Sequence, residues 1–200
     1  MTGAGRAEVP DLDLVRQAQA GDADAFGELV ERNRQAVFRA ALAAMGSPAE
    51  ADDVAQDAFV LAYRKIGTFR GDAAFRTWLL AITWRKALDR RKSLGRWLRL
   101  TVTPVDPDDS SNWIEEMPAQ TRSQEENVAA AELRQTIRAL IRTLPRKLKD
   151  ALLLAGSGDY SYAQISYILG VPVGTVKWRV SEARRVLKEK MTALGHTYEG

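Results

Sequence analysis

The sequence predicts an all-α chain of two small helical domains, joined by a flexible acidic linker, the second ending in two helices across a tight turn. Three observations carry this. Apolar residues recur at helical spacing from Leu12 to Lys92 and again from Glu125 to Lys190. Between them, GRWLRLTVTPVDPDDSSNWIEEMPAQTRSQ (Gly95 to Gln124) holds three prolines, scattered serine and acid, and no sustained periodicity. Charge divides the same way: +1 over residues 11–95, −4 over 96–127 and +6 over 128–200, beneath a net charge of +3.

Taken in order, Leu12 to Ala20 is a short amphipathic helix stopped by Gly21. Asp22 or Asp24 caps a longer one with Phe26, Leu29, Val30, Val37, Phe38 and Leu42 on its apolar stripe, ended by Gly46. Ser47-Pro48-Ala49-Glu50 supplies an N-cap, a proline at the first helical position and the glutamate of a capping box. That third helix reaches about Lys65, with Val54, Ala58, Leu61 and Ala62 facing inward. After Gly67 to Gly71 a fourth helix runs from about Ala73 to Lys92. It is apolar around most of its circumference (Phe75, Trp78, Leu79, Ile82, Trp84, Leu88), which marks the central helix of a bundle. Past the linker, helices resume over Glu125 to Thr143 and from Pro145 to about Ala155.

The last stretch decides what the chain is for. Ser161 and Gln164 form a second capping-box pattern, the helix they start ends at Gly170, and Val171 to Gly174 turns the chain into a helix from about Thr175 to Lys190. Two short helices joined by about four residues, one a glycine, form a helix-turn-helix. On the second helix Val176, Val180, Ala183 and Leu187 share the buried face. Trp178, Ser181, Glu182 and Arg185 point away from it, flanked by Lys177, Arg179, Arg184 and Lys188. A narrow apolar stripe under a basic outer face suits the major groove of DNA, and the basic C-terminal third suits phosphate contacts.

Composition narrows the alternatives. With no cysteine there is neither a disulfide framework nor a thiolate metal site, which fits a reducing cytoplasm. One histidine, His196, cannot build a His metal cluster or a Ser-His pair. No signal peptide or membrane span is legible. Asp52, Asp53 and Asp57 resemble a nuclease metal cluster only superficially, because they lie on one helix whereas metal sites converge from several elements. The reading is therefore a non-enzyme with no cofactor and no metal.

Leu144-Pro145, the run Leu152 to Leu154, YSYAQI and VPVGTVK resemble the second conserved domain of extracytoplasmic-function (group 4) sigma factors. These are promoter-recognition subunits of bacterial RNA polymerase within the sigma-70 family. ADAFGELVERNRQAVF, AEADDVAQDAFVLAYRKI and FRTWLLAITWRKALDRRK resemble the first domain's opening, polymerase-binding and promoter-melting helices. The resemblance covers about three-quarters of the chain in the family's order. It implies sigma region 2 over 11–95, a linker over 96–124 and sigma region 4 over 125–194.

What the resemblance implies can be placed residue by residue. Asp53, Gln56, Asp57 and Phe59 would dock on the largest-subunit clamp helices of core polymerase, with the flap as a further contact of the family. The helix dipole accounts for Glu50 and Asp52 but not for Asp57. Phe69, Arg70, Arg76, Trp84, Arg85, Lys86 and Arg90 would capture and melt the −10 element, combining aromatic faces with cations. Trp78 belongs to the core; Trp84 fits core and base capture equally. Thr83-Trp84-Arg85 stands where the family usually has Ala-Arg-Asn, so the captured base is open. Thr175, Lys177, Trp178, Arg179, Ser181, Arg184, Arg185 and Lys188 would read the −35 duplex. Trp178 replaces the family's usual serine and suits a thymine methyl or the sugar-phosphate wall; Glu182 suits a cytosine amino group or an ion pair with Arg185 or Lys188. Asp106, Asp108, Asp109, Glu115 and Glu116 fit a nucleic-acid mimic in the polymerase cleft and a solubilising spacer equally well. A cognate anti-sigma protein is typical of the family, though nothing in the residues marks one. The rival reading, a stand-alone helix-turn-helix regulator, leaves the N-terminal half unexplained.

Overall fold

The computed structural model describes residues 9–101 and 124–195, all of whose regular structure is helical. The elements are α1 (Asp11–Gln19), α2 (Ala23–Met45), α3 (Pro48–Lys65), a 3-10 turn (Ile66–Thr68) and α4 (Phe75–Thr101). After the linker come α5 (Gln124–Arg142), α6 (Arg146–Gly156), α7 (Tyr162–Leu169) and α8 (Val173–Ala193). The acidic linker residues 102–123 and His196 lie outside the described residues.

The helix boundaries follow local chemistry. Asp22 caps α2, its carboxylate accepting from the amides of Asp24 and Ala25, and Gly46 closes that helix with φ 78° in the left-handed region glycine favours. The capping box at α7 is complete: the Gln164 amide donates to Ser161 Oγ, and the Ser161 amide donates to Gln164 Oε1 at 2.8 Å. Gly170, φ 65°, ends α7.

Three boundaries differ from expectation. Ser47 makes no side-chain cap at α3, and the reciprocal half of the box is not formed either, the Glu50 carboxylate accepting instead from Arg90, forty residues on, at 2.8 Å. The fourth helix continues through Gly95 to Thr101, six residues into the stretch read as linker. Arg, Trp and Leu there are adequate helix formers, and the first proline is Pro104. Pro172 is the N-cap of α8, which starts at Val173, two residues early; proline just before a helix costs no hydrogen bond.

Helix α4 is central, packing on α1, α2 and α3 and also on α7. Its Phe75, Leu79 and Ile82 enter an apolar cluster with Leu14, Val15, Phe26, Leu29, Val37, Ala58 and Ala62. Its Leu80, Trp84 and Ala87 enter another, shared with Ala36 to Met45 of α2 and with Ala151, Leu154, Ile165, Ile168, Val176 and Val180 from α6, α7 and α8. A third, smaller cluster (Leu144, Leu148, Ala183) joins α6 to α8, as the sequence stripe on α8 requires.

Candidate nucleic-acid interface

The outer face of α8 is built by what its inner face must bury. Val176, Val180 and Ala183 are buried as expected, and Leu187 is half-buried on the third cluster. Opposite them, Trp178 is 62 % exposed, a large apolar cost for a free surface unless a partner covers it. Lys177, Ser181, Arg184, Arg185 and Lys188 are exposed, and Thr175 and Arg179 partly so. One of these cations is already engaged. Arg185 donates two bonds to Glu182, at 2.7 and 2.9 Å, and a third to Glu189. The bonds to Glu182 raise the Arg185 pKa and lower that of Glu182 below the usual carboxylate range. Of the alternatives for Glu182, the structure has the pair with Arg185.

The second face lies where α3 meets α4. Arg90 donates to Glu50 at 2.8 Å and to Asp53 at 3.3 Å, and Lys86 donates to Asp57 at 3.2 Å. The bond to Glu50 raises the pKa of Arg90. Two residues read as DNA contacts and two read as polymerase contacts are thus partners of each other, which accounts for Asp57 without the helix dipole. Spacing within one helix cannot reveal such a ladder, since it joins positions 29 to 40 apart. Gln56 is exposed and Phe59 is half-buried against the N-terminal cluster. Val60 and Tyr63, overlooked in the sequence, are about half exposed on the same helix, at 52 % and 48 %. Arg70, Arg76 and Arg85 are exposed and form no ion pair among the described residues.

Two aromatic rings read as base-capturing are elsewhere. Phe69 is buried, edge-on to Phe75 at 5.8 Å and to Trp78 at 5.4 Å, its carbonyl accepting from Gln19 Nε2. An aromatic cluster at the foot of α4 holds it, so no face is left for a base. Trp84 is 1 % exposed, and its indole N–H meets no acceptor among the described residues. In this arrangement Trp84 is core, and stacking on DNA is closed to both rings.

Comparison with known proteins agrees with this layout. The family model described as Sigma-70 region 2 matches residues 29–96, and that described as Sigma-70, region 4 matches residues 134–187. The ECF RNA polymerase sigma-E factor of Escherichia coli (strain K12) is 35 % identical over 189 residues, 94 % of this chain and 97 % of that one. The RNA polymerase sigma-H factor of Pseudomonas aeruginosa is 33 % identical over 92 % of this chain and 95 % of its own. Among solved structures, CnrH in complex with the cytosolic domain of CnrY superposes with a TM-score of 0.61 at 25 % identity, covering 92 % of this chain and 97 % of that one. The sigma factor RpoE of Bartonella quintana, in complex with the anti-sigma factor NepR, shares the fold at a TM-score of 0.61 and 23 % identity, over 84 % of this chain and 96 % of that one.

Proposed function

The chain belongs to the extracytoplasmic-function sigma factors of the sigma-70 family, and from that premise we propose how its residues divide the work. A sigma factor directs bacterial RNA polymerase in transcription initiation and performs no bond chemistry itself. Residues 11–95 act as region 2, 96–124 as the connecting linker and 125–194 as region 4. Asp53, Gln56, Asp57 and Phe59, joined by Val60 and Tyr63, dock on core polymerase. Arg70, Arg76, Arg85, Lys86 and Arg90 hold the −10 element as it melts. Thr175, Lys177, Trp178, Arg179, Ser181, Arg184, Arg185 and Lys188 meet the −35 duplex, phosphates on the shoulders and base edges at the centre.

One observation supports this reading above the others: a capped helix, a tight turn and a helix presenting an exposed tryptophan among cations, on a domain that follows a four-helix bundle. The rival of a stand-alone regulator explains the last part and not the first. The protein works in the cytoplasm, where polymerase and promoter are; none of its described helices is long and apolar enough to cross a membrane. CnrH is in complex with the cytosolic domain of CnrY and RpoE with the anti-sigma factor NepR, and by the same family membership a cognate anti-sigma protein is a partner to look for here.

Run-off transcription with core polymerase and genomic fragments tests the reading. Specific transcripts should appear only when the chain is added, and the free chain should bind isolated promoter duplex weakly. Tight, sequence-specific duplex binding that ignores added polymerase would sink it.

A further inference from the structure

Helix α1 carries none of the residues assigned to polymerase or to DNA, yet it reaches the segment that presents one of them. Leu14, Val15 and Ala18 seat it in the N-terminal apolar cluster. Its last residue, Gln19, then lies beside the connector between α3 and α4. Gln19 Nε2 donates twice there, to the carbonyl of Ile66 at 2.9 Å and to that of Phe69 at 3.0 Å. Both acceptors are carbonyls, so only the nitrogen of the side-chain amide can serve.

The connector is tied down as far as Phe69 and not beyond. Its first half is a 3-10 turn, closed by the Phe69 amide on the Ile66 carbonyl at 3.0 Å and by Thr68 Oγ1 on the Lys65 carbonyl at 2.7 Å. The side chains of Ile66 and Phe69 are buried. From Arg70 to Ala73, by contrast, no hydrogen bond among the described residues holds the chain. Gly71 stands in this tip with φ 81°, and Arg70 and Asp72 are exposed. Such a tip takes its direction from its base. The Phe69 carbonyl belongs to the peptide plane that leads into Arg70, so holding that oxygen sets the direction in which the tip leaves. The hold comes from outside the connector, across 47 and 50 residues of sequence.

We propose that Gln19 is a positioning residue for −10 capture: by holding the carbonyls of Ile66 and Phe69 it fixes the exit of the connector, so that Arg70 meets the melted strand in one orientation. A preorganised tip loses less freedom on binding than a loose one. The role in promoter capture rests on the assignment of Arg70 to the −10 element above; the two hydrogen bonds do not.

Holoenzyme formed with the full-length chain is assayed on fork templates whose single-stranded −10 non-template strand carries each base in turn at each position. The unsubstituted chain should prefer one base at the position that Arg70 meets, which is identified by the loss of that preference in Arg70→Ala. Gln19→Glu keeps the shape but sets a carboxylate against two carbonyls. It should lower that one preference on the order of tenfold, the size expected of two amide–carbonyl bonds, and leave the other positions and assembly with core polymerase unchanged. Gln19→Lys, whose ammonium can donate to both carbonyls, should keep the preference within about threefold. Adding Gln19→Glu to Arg70→Ala should cost nothing further, because the two act through one contact. Gln19 is exposed, so these changes leave the core intact; Gln19→Ala, which brings no charge, should behave as Gln19→Glu does. An unchanged preference with Gln19→Glu and Gln19→Ala, an equal loss at every position, an additive loss with Arg70→Ala, or no effect of Arg70→Ala anywhere in the element would each overturn the proposal and leave the sigma reading standing. Absence of any transcription by the unsubstituted holoenzyme would overturn both together.

Discussion

Replacing Trp84 with alanine separates the two roles its sequence position allows. A tryptophan ring buries about 150–250 Å², and at about 25 cal/mol per Å² its removal from a site 1 % exposed forfeits about 4–6 kcal/mol. Deleting the stranded indole N–H returns about 1–3 kcal/mol. The net loss is about 3 kcal/mol, at the lower end of the range of about 3–5 kcal/mol for core tryptophans. For a chain of this size that corresponds to a melting temperature lower by about 6–12 °C. Urea unfolding of the full chain, followed by circular dichroism and by calorimetry, reads both quantities. A loss below about 1 kcal/mol would refute the burial argument: Trp84 would then be solvent-facing in solution and free to stack on a base.

Three further outcomes are expected. Asp53→Arg with Asp57→Arg should abolish assembly with core polymerase in a pull-down while helix content stays unchanged, since the substituted residues would face a basic partner and also repel Arg90 and Lys86; undiminished assembly would return the aspartates to a purely internal role. On a −35 library, Lys188→Ala should weaken all sequences alike and lower the salt slope by roughly one unit, whereas Arg185→Ala should cost on the order of 1–3 kcal/mol on the cognate element and flatten the preference; a uniform loss from both would mean that the groove-facing side has been misassigned. Burial raises the pKa of Asp150 against the opposing fields of Arg91 on α4 and of Arg146 and Lys149 on its own helix. The packed state therefore takes up the proton first. Its advantage is greatest below the ordinary carboxylate value and is lost as pH rises through the raised one, so urea unfolding should show Asp150 adding to folded stability on acidification from neutrality, and Asp150→Asn should remove that dependence; the same pH dependence in both chains would refute it.

The parts of the fold legible in the sequence are those whose causes are local. Asp22, Gly46, Ser161 with Gln164, and Gly170 each act within a few residues of themselves, so the helices they bound stand where expected. The α8 stripe was equally readable, because 3.6-residue periodicity decides which side faces the core. What failed depends on partners distant in the chain. Glu50 answers Arg90 instead of its own helix end, Phe69 turns inward because Phe75 and Trp78 offer it a cluster, and Trp84 shares its cluster with α2 and with helices that begin more than fifty residues later. The continuation of α4 was hidden by Gly95, which interrupts a sequence pattern more readily than it stops a helix whose next residues, Arg96 to Leu100, are not helix breakers.

The ladder between α3 and α4 gives a way to think about the order of events. Each cation on α4 that answers a carboxylate on α3 is a charge withheld from DNA phosphates, and each such carboxylate is withheld from any basic protein surface. The two sets hold each other in reserve. A basic partner that took Asp53 and Asp57 would release Lys86 and loosen Arg90, leaving positive charge free on α4. Binding one macromolecule would then prime the surface for the second by side-chain exchange.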